Sequence, residues 1–576
     1  MYLKKSSARK GRVYLSIAEG NYDPVLKRNK TVNIQKIGYL DELMKEYEDP
    51  IAHFTAVVYE MNKKRERDKV DMTISIDSSE RVEAGSRKNF GYVAISAIYH
   101  ELEIHKFMTS RQKSLDIEYN LNSIMRLLVF SQLVNPGSKK KAYESRDWFF
   151  ENSKFTITDM YRSLGRIAKY RDALQLWIHE HIVASSGRDV SVVYYDVTNY
   201  YFEIDEQDEL RKKGVCKEHR PNPIVQMGLL MDNGGIPMAY QLFPGNTNDC
   251  KTLIPIIKRI RRLYGTGKVV VVSDKGLNSG KNAYYLANKR GGYVFSQSVR
   301  KGNAELKKYV MNPNGYKKSD DPDDPTFRKK SRQFTRDVEF EDDYGKKIKA
   351  KISEKQVVIY SHKYAQKAKA DRATAIMKAH AIIKSPKNFN KNNTYGAAKY
   401  IRQISFDKDT GEILKAESIL TFNEELLAEE EKYDGYYVIV TNHIYAKDQW
   451  VIDTYHELWR IEETFRVSKS DIEFRPVRVS REDHIEAHFL ICFVALVIIR
   501  ILQKKLNYKF STSKILESLS KICCSHLKEN VHLFDHCDDV TKPLGVLLGI
   551  DFEQKYRTQA DIKNILSRVK NSFVAQ

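Results

Sequence analysis

Apolar positions change their spacing along the chain, and the changes divide it into stretches of different character. Residues 1–60 carry short β-like runs, GRVYLSIAEG and KTVNIQKIGYL, among basic residues. From about 90 to 185 the apolar spacing becomes three and four, as in YNLNSIMRLLVFSQLV (119–134) and YRDALQLWIHEHIV (170–183), which predicts helices. NPGSKKKAYES (135–145) supplies a break and a basic cluster between them. Then the period changes. SVVYYDVT (191–198) reads as a strand, and VQMGLLM (225–231) with IPMAYQLF (236–243) reads as an antiparallel hairpin turning at DNGG (232–235). DCKTLIPIIKRIRRLYG (249–265) is an amphipathic helix that stops at glycine. KVVVVSD (268–274) is a continuous apolar strand of the kind covered on both faces, followed by a helix over 278–292 and the strand YVFSQSV (293–299). This order predicts a mixed α/β sheet.

Residues 300–433 interrupt that rhythm with charged, Lys- and Asp-rich sequence and β-like pieces such as KQVVIYSH (355–362), and they read as an insertion. GYYVIVTN (435–442) resumes the strand pattern, and a long helical stretch follows from about 446 to 470. FLICFVALVII (489–499) is eleven apolar residues, short of the roughly 20 that span a bilayer, and reads as a core helix. The expected division is a β-containing basic region at 1–60, a helical, DNA-end-binding region at 61–189, and an α/β domain in two parts, 190–299 and 434–510. The β-rich insertion at 300–433 separates those parts, and a helical C-terminal region, 511–576, closes the chain.

Charge narrows the partner. Lys and Arg exceed Asp and Glu by 21, and the pI is about 9.3, which favours a polyanion, with nucleic acid ahead of an anionic membrane surface. The six cysteines (Cys216, Cys250, Cys492, Cys523, Cys524, Cys537) form no C-x-x-C, and no apolar core follows the basic start MYLKKSSARK, so a reduced, cytoplasmic protein is expected.

Three carboxylates then stand out by position. Asp196 lies inside a run of valines and aromatics, where an unpaired charge costs several kcal/mol. Asp274 ends the strand KVVVVSD, and Glu462 lies in YHELWRIEETFRVSK (455–469). On a regular α-helix Tyr455, Trp459, Glu462, Arg466 and Lys469 fall within roughly ±40° of one line, beside an apolar stripe of Leu458, Ile461, Phe465 and Ile472. Two strand aspartates and a helix glutamate are what a two-metal phosphoryl-transfer site needs, because hard cations such as Mg²⁺ take oxygen ligands. Singly, each acid has a plainer reading: Asp274 as a turn residue, Glu462 as a solvated ion pair, Asp196 as a hydrogen-bonded buried acid.

The three blocks together resemble bacterial insertion-sequence transposases that carry a DDE triad on a ribonuclease-H-like fold. Tyr455, Glu462 and Lys469 have the spacing of the family's Y-x2-R-x3-E-x6-K signature, and Gly245, Asn246, Asp249 and Thr252 resemble its G-N-x-x-D-x-x-T stretch. A β-rich insertion before the glutamate is typical of the family, and RPVRVSREDHIEAHFLICFVAL (475–496) resembles the segment that follows the glutamate in its long subgroup. The signature's arginine position holds Leu458, and Arg466 is the cation that would replace it.

The resemblance implies metal-dependent cleavage at element ends and strand transfer, with Asp196, Asp274 and Glu462 as catalytic metal ligands for two Mg²⁺ ions, Mn²⁺ being a substitute. Asp196 and Glu462 would hold one ion, and Asp196 and Asp274 would share the other. Tyr455, Trp459, Arg466 and Lys469 would contact DNA. It implies terminal inverted repeats and target DNA as partners, a homodimer or higher oligomer on paired ends, and a cytoplasmic, nucleoid-associated location in a bacterium. The rival readings are a non-catalytic DNA-binding or regulatory derivative and a ribonuclease-H-like nuclease without strand transfer.

Other motifs carry less. YGTGKVV (264–270) lacks the phosphate-loop pattern and precedes a strand. SDDPDDP (319–325) reads as a solvated loop. Cys523, Cys524, His526, His532, His536 and Cys537 are zinc-ligand types at a spacing that fits no finger, so a helical tail is expected there.

Overall fold

The structure, a computed structural model, describes residues 1–7, 12–23, 28–66, 86–214, 221–289, 291–318, 324–384, 396–406, 417–527 and 530–571. Cys216 and most of SDDPDDP lie outside the described residues.

A mixed sheet organises the α/β part. Its strands are β1 (Val192–Tyr201), β2 (Ile224–Met231), β3 (Pro237–Pro244), β4 (Val270–Ser273), β5 (Gly292–Gln297), β6 (Lys317–Lys318), β7 (Arg328–Glu341), β8 (Lys347–Tyr360) and β9 (Tyr436–Thr441). Among the described residues they lie in the order β6-β7-β8-β9-β5-β4-β1-β2-β3. β1, β2 and β3 form an antiparallel meander, and β4 and β5 run parallel to β1. β1 is a central strand because its apolar side chains bury on both faces. Val193, Tyr195 and Val197 enter one core, and Val192, Tyr194 and Tyr200 enter the other. The hairpin turn is the expected one, with Gly235 at φ +77° and the Asp232 carboxylate accepting from Ile236 N at 2.9 Å.

The stretch 300–433 does not leave the sheet. Its long ribbon β7–β8 pairs through β8 with β9, so the charged interruption extends the same sheet. The exposed helix His362–Lys384 then begins directly after β8.

The second core is helical. Glu482–Lys505 is apolar around most of its circumference and packs against Tyr92–Glu101, Leu121–Val134 and Ile157–Lys169. The run 489–499 is thus the middle of a 24-residue helix that is long and apolar enough to cross a bilayer, but 94% of its apolar window is buried inside the molecule.

Two expectations need correction. The C-terminal region is not simply helical: Cys523–His526, Val531–Phe534 and Tyr556–Thr558 form a small sheet that also takes in Arg87–Asn89. Strands of three or four residues leave no periodic signal, and the fourth strand comes from more than 400 residues away.

The stretch 446–470 is helical but is not one regular α-helix. It divides into α1 (Asp448–His456) and α2 (Trp459–Arg466), followed by a π turn, Val467–Asp471. At the junction the backbone keeps right-handed dihedrals while the bonds tighten to i→i+3: Leu458 N to Tyr455 O at 3.0 Å and Ile461 N to Leu458 O at 3.1 Å. Such a turn advances about 20° more per residue than an α-helix, so Tyr455 falls out of phase with the residues of α2.

Candidate active site

Asp196, midway along β1, and Asp274, the first residue past the end of β4, hold matching positions in neighbouring parallel strands. The ladder runs Val192↔Val270, Val193↔Val271, Tyr194↔Val272, and two further residues along each strand are Asp196 and Asp274. Continued in register, the two positions lie on one sheet face about 5 Å apart. Both side chains are half-buried. Asp196 Oδ1 accepts from Val197 N at 2.7 Å, and Asp274 Oδ1 accepts from Gly276 N at 2.8 Å. Each carboxylate is therefore oriented by its own loop or strand backbone.

The G-N-x-x-D-x-x-T stretch braces this end of the sheet. Gly245 is glycine by necessity, since a Cβ there would sit 2.2 Å from Ile224 O and 2.4 Å from Lys212 O. Thr252 is buried, accepts from Tyr195 OH at 2.8 Å and donates to Asp249 O at 2.7 Å. Cys250 Sγ reaches Gly276 O at 2.9 Å, and Asn282 Nδ2 bridges Cys250 O and Leu277 O at 3.0 and 2.9 Å. The segment thus clamps the turn that follows Asp274. Burial raises the Cys250 thiol pKa, and the Asp249 and Asp274 charges add to the rise.

Glu462 is held differently. It is exposed on α2, which packs over β1 through the buried Ile461 and Phe465. Trp459, 52% exposed, and Arg466 share the exposed side with it. Arg466 pairs with Asp471 at 3.7 Å. Leu458, the residue at the signature's arginine position, is buried in the helical core. Arg460 turns the other way, donating to Asn233 O at 3.1 Å and pairing with Glu457 at 2.5 Å. Lys469 is half-buried on the π turn, its Nζ 6.0 Å from the centre of the Tyr200 ring.

Tyr455 stands between the two parts. Burial pushes its hydroxyl up to about 12, aided by the charges of Asp274 and Glu462, so it lies within electrostatic reach of both acids. Tyr364, at the start of the inserted helix His362–Lys384, is a residue that local sequence pattern does not single out. Its ring packs 5.0 Å from that of Tyr437, and burial together with the Glu462 charge raises its pKa. Its aromatic character in a Lys-rich helix was visible, but its nearness to a glutamate almost 100 residues later was not.

The structure gives Asp196 and Asp274 matching positions on neighbouring strands, and sets Tyr455 within reach of the Asp274 and Glu462 charges. It does not bring the three acids into one cluster: among the described residues no three His, Cys, Asp or Glu side chains stand close enough to hold a metal ion. The donor set itself is all carboxylate oxygen, which fits a hard divalent cation.

Comparisons with known proteins supply the family. The model of the transposase DDE domain matches residues 208–498, a span that starts after Asp196 and contains Asp274 and Glu462. No curated protein matches the chain. Among solved structures, a piggyBac transposase synaptic complex with hairpin DNA aligns over 88% of this chain and 80% of its own, at 7% identity and a TM-score of 0.29. A Mos1 transposase paired-end complex with the left transposon end aligns over 40% of this chain and 64% of its own, at 12% identity and a TM-score of 0.14. Scores this low mark no shared detail, and the assignment rests on the family model. Because that model spans just over half of the sequence, the chain belongs to the DDE-domain transposases and is a DNA transposase.

Proposed function

We propose that Asp196, Asp274 and Glu462 are the catalytic triad of this transposase and that its central sheet is ribonuclease-H-like. The strand order β3-β2-β1-β4-β5, with an antiparallel meander followed by two parallel strands, supports the fold reading. The observation that supports the site reading is the β1–β4 register, in which Asp196 and Asp274 follow the last paired residues, Tyr194 and Val272, by two positions each, inside an enzyme of this family.

The family works with divalent metal ions. Two Mg²⁺ ions, replaceable by Mn²⁺, would be held by Asp196 with Glu462 and by Asp196 with Asp274. Bound there, they supply Lewis-acid activation of the attacking oxygen and of the scissile phosphate. The chain's own residues do the rest. The main-chain N–H groups of Val197 and Gly276 fix the two aspartates in orientation. Glu462 approaches them when DNA and metal assemble the site, since α2 holds it at the surface beforehand. The Tyr455 hydroxyl, kept neutral, donates to a phosphate beside the cut, and Lys469 and Arg466 neutralise neighbouring phosphates. Trp459 offers an exposed ring for an unstacked base.

The substrate is the terminal inverted repeat of an insertion sequence, joined to target DNA by a homodimer or larger assembly on paired ends. The domain division expected above goes with this reading: residues 61–189 bind the element end, 190–299 and 434–510 form the catalytic domain around the insertion at 300–433, and 511–576 close the chain. The protein would act on nucleoid DNA in a bacterial cytoplasm.

A strand-transfer assay with element-end duplex and Mg²⁺ tests the reading. Cleavage and joining are expected from the natural chain and neither from Asp196→Ala. Cleavage that survives Asp196→Ala sinks the triad. Cleavage without joining would instead make the chain a nuclease, and binding without either would make it a DNA-binding derivative.

A further inference from the structure

The turn that carries Asp274 is tied to the inserted ribbon by a polar chain that the proposed chemistry leaves unused. Arg336, on β7, donates from Nη1 to Asn278 Oδ1 at 2.8 Å. Asn278 lies four residues after Asp274 and donates from Nδ2 to Ser296 O on β5 at 3.0 Å. Ser296 is in turn a hydrogen-bonding neighbour of Tyr455. Behind Arg336 stands Glu354 of β8, whose side chain is fully buried. Its Oε1 faces Arg336 Nη1 at 3.4 Å and accepts from the Tyr293 hydroxyl, and its Oε2 is buried with no hydrogen-bond partner among the described residues. A buried carboxylate so placed keeps the guanidinium from turning out to solvent, because separating the pair would strand the acid. The neighbouring backbone reinforces the join: a Cβ on Gly280 would lie 3.1 Å from Val338 Cβ, so the helix after Asn278 sits directly on β7.

We propose that Arg336 and Asn278 are positioning residues that hold the Asp274 turn in register with Asp196, so that the inserted ribbon sets the geometry of the metal-binding pair. The inference rests on Asp274 being a metal ligand. It explains why a charged ribbon is continuous with the central sheet: the sheet extension delivers one cation to the back of the catalytic turn. Neither residue touches substrate.

The test is the full chain cleaving a duplex that carries its terminal repeat, with Mg²⁺ titrated and DNA affinity measured separately. Arg336→Gln is expected to lower kcat about tenfold and to raise the half-saturating Mg²⁺ concentration by a similar factor, with KM for DNA within about twofold. Arg336→Lys, which keeps the charge but loses the fork, is expected to recover part of the rate. If Arg336→Gln fails to fold, Asn278→Ala carries the same readouts from the other end of the chain. The Arg336→Gln/Asn278→Ala double variant is expected to be no worse than the worse single variant, because the two act through one connection. Multiplicative effects in the double variant overturn the proposal, as does a folded Arg336→Gln whose kcat and Mg²⁺ midpoint stay within about twofold. Asp274→Asn separates the two levels: if it still cleaves, the triad reading has failed, whereas an inactive Asp274→Asn beside a normal Arg336→Gln overturns this inference alone.

Discussion

The paired aspartates and the glutamate are held by different kinds of structure. Asp196 lies within β1 and Asp274 directly follows β4, each two residues beyond the last pair of the ladder that joins those strands. Slipping that register by one residue would turn each acid to the opposite face and bring its apolar neighbours with it. Glu462 sits instead on an eight-residue helix between a tightened turn and a π turn. Local changes in winding of this kind recur at functional hinges. One half of the proposed site is therefore built into the sheet, and the other half can adjust when DNA and metal arrive.

The largest expected effects test that division directly. Asp196→Asn, Asp274→Asn and Glu462→Gln each keep shape and should each reduce strand transfer by roughly 10³-fold or more, a loss of several kcal/mol of transition-state stabilisation. They should differ in stability. Two like charges at matching positions of neighbouring strands repel when no cation lies between them, so either aspartate variant should melt no lower than the natural chain without metal and should lose the Mg²⁺-induced rise in melting temperature. Glu462→Gln, exposed on α2, should leave the metal-free melting temperature unchanged. Equal metal-free shifts in all three would break the comparison.

Next in size is the anchor behind α2. Arg500, 1% exposed, donates to Glu463 Oε2 and Gln503 Oε1, each at 2.9 Å, and to Gly235 O at 3.3 Å. It pins the glutamate's helix to the β2–β3 turn. Arg500→Met should cost about 3 kcal/mol by stranding Glu463 and Gly235 O. The drop should appear in thermal melting, together with a loss of cleavage that added Mg²⁺ does not restore. If cleavage persists in the destabilised protein, the helix does not depend on that anchor.

Tyr455 sharpens the comparison through pH. Its folded pKa lies above its unfolded value, so burial of the neutral phenol stabilises fully below about pH 10 and the contribution is lost as pH rises towards 12. Between pH 6 and 9 the hydroxyl stays protonated. Tyr455→Phe should therefore lower cleavage about tenfold, the worth of one hydrogen bond to a charged phosphate, without changing the shape of the pH–rate profile in that window. A profile that shifts below pH 9 would mean that Tyr455 ionises during turnover.

The same contrast governs what the sequence could reveal. Strands β1 to β5, the hairpin turn and the helix closed by Gly265 were legible because burial on both faces and turn residues leave marks in the local pattern. Asp196 was legible for the opposite reason, as a charge that the pattern did not account for. The winding of 448–471 was not legible, since 3₁₀, α and π turns place apolar residues at overlapping spacings. Tyr364, Arg336 and the pairing of Cys523–His526 with Arg87–Asn89 depend on contacts between distant segments. Nothing within any one window encodes those contacts.

The smallest effect concerns the missing signature arginine. Leu458 is 5% exposed and packs with Ile461 and Phe465 in the helical core, so an arginine there would have to carry its charge inside or unwind the tightened turn. Arg466 lies two turns further on, beside Glu462 on the exposed side, and pairs with Asp471 at only 3.7 Å with half its side chain in solvent. A pair of that kind is worth little, so the guanidinium is available to a phosphate at small cost. Arg466→Ala should accordingly leave melting within about 0.5 kcal/mol of the natural chain and weaken DNA binding only a few-fold. It should also reduce the slope of log affinity against log salt by about 1, the signature of one lost phosphate contact. An unchanged slope would assign Arg466 to its partner Asp471 and leave the signature's cation unreplaced. A slope that falls by 1 while Leu458→Arg destabilises the chain would show the phosphate contact moved from the buried position to the exposed one, on the adjustable side of the site.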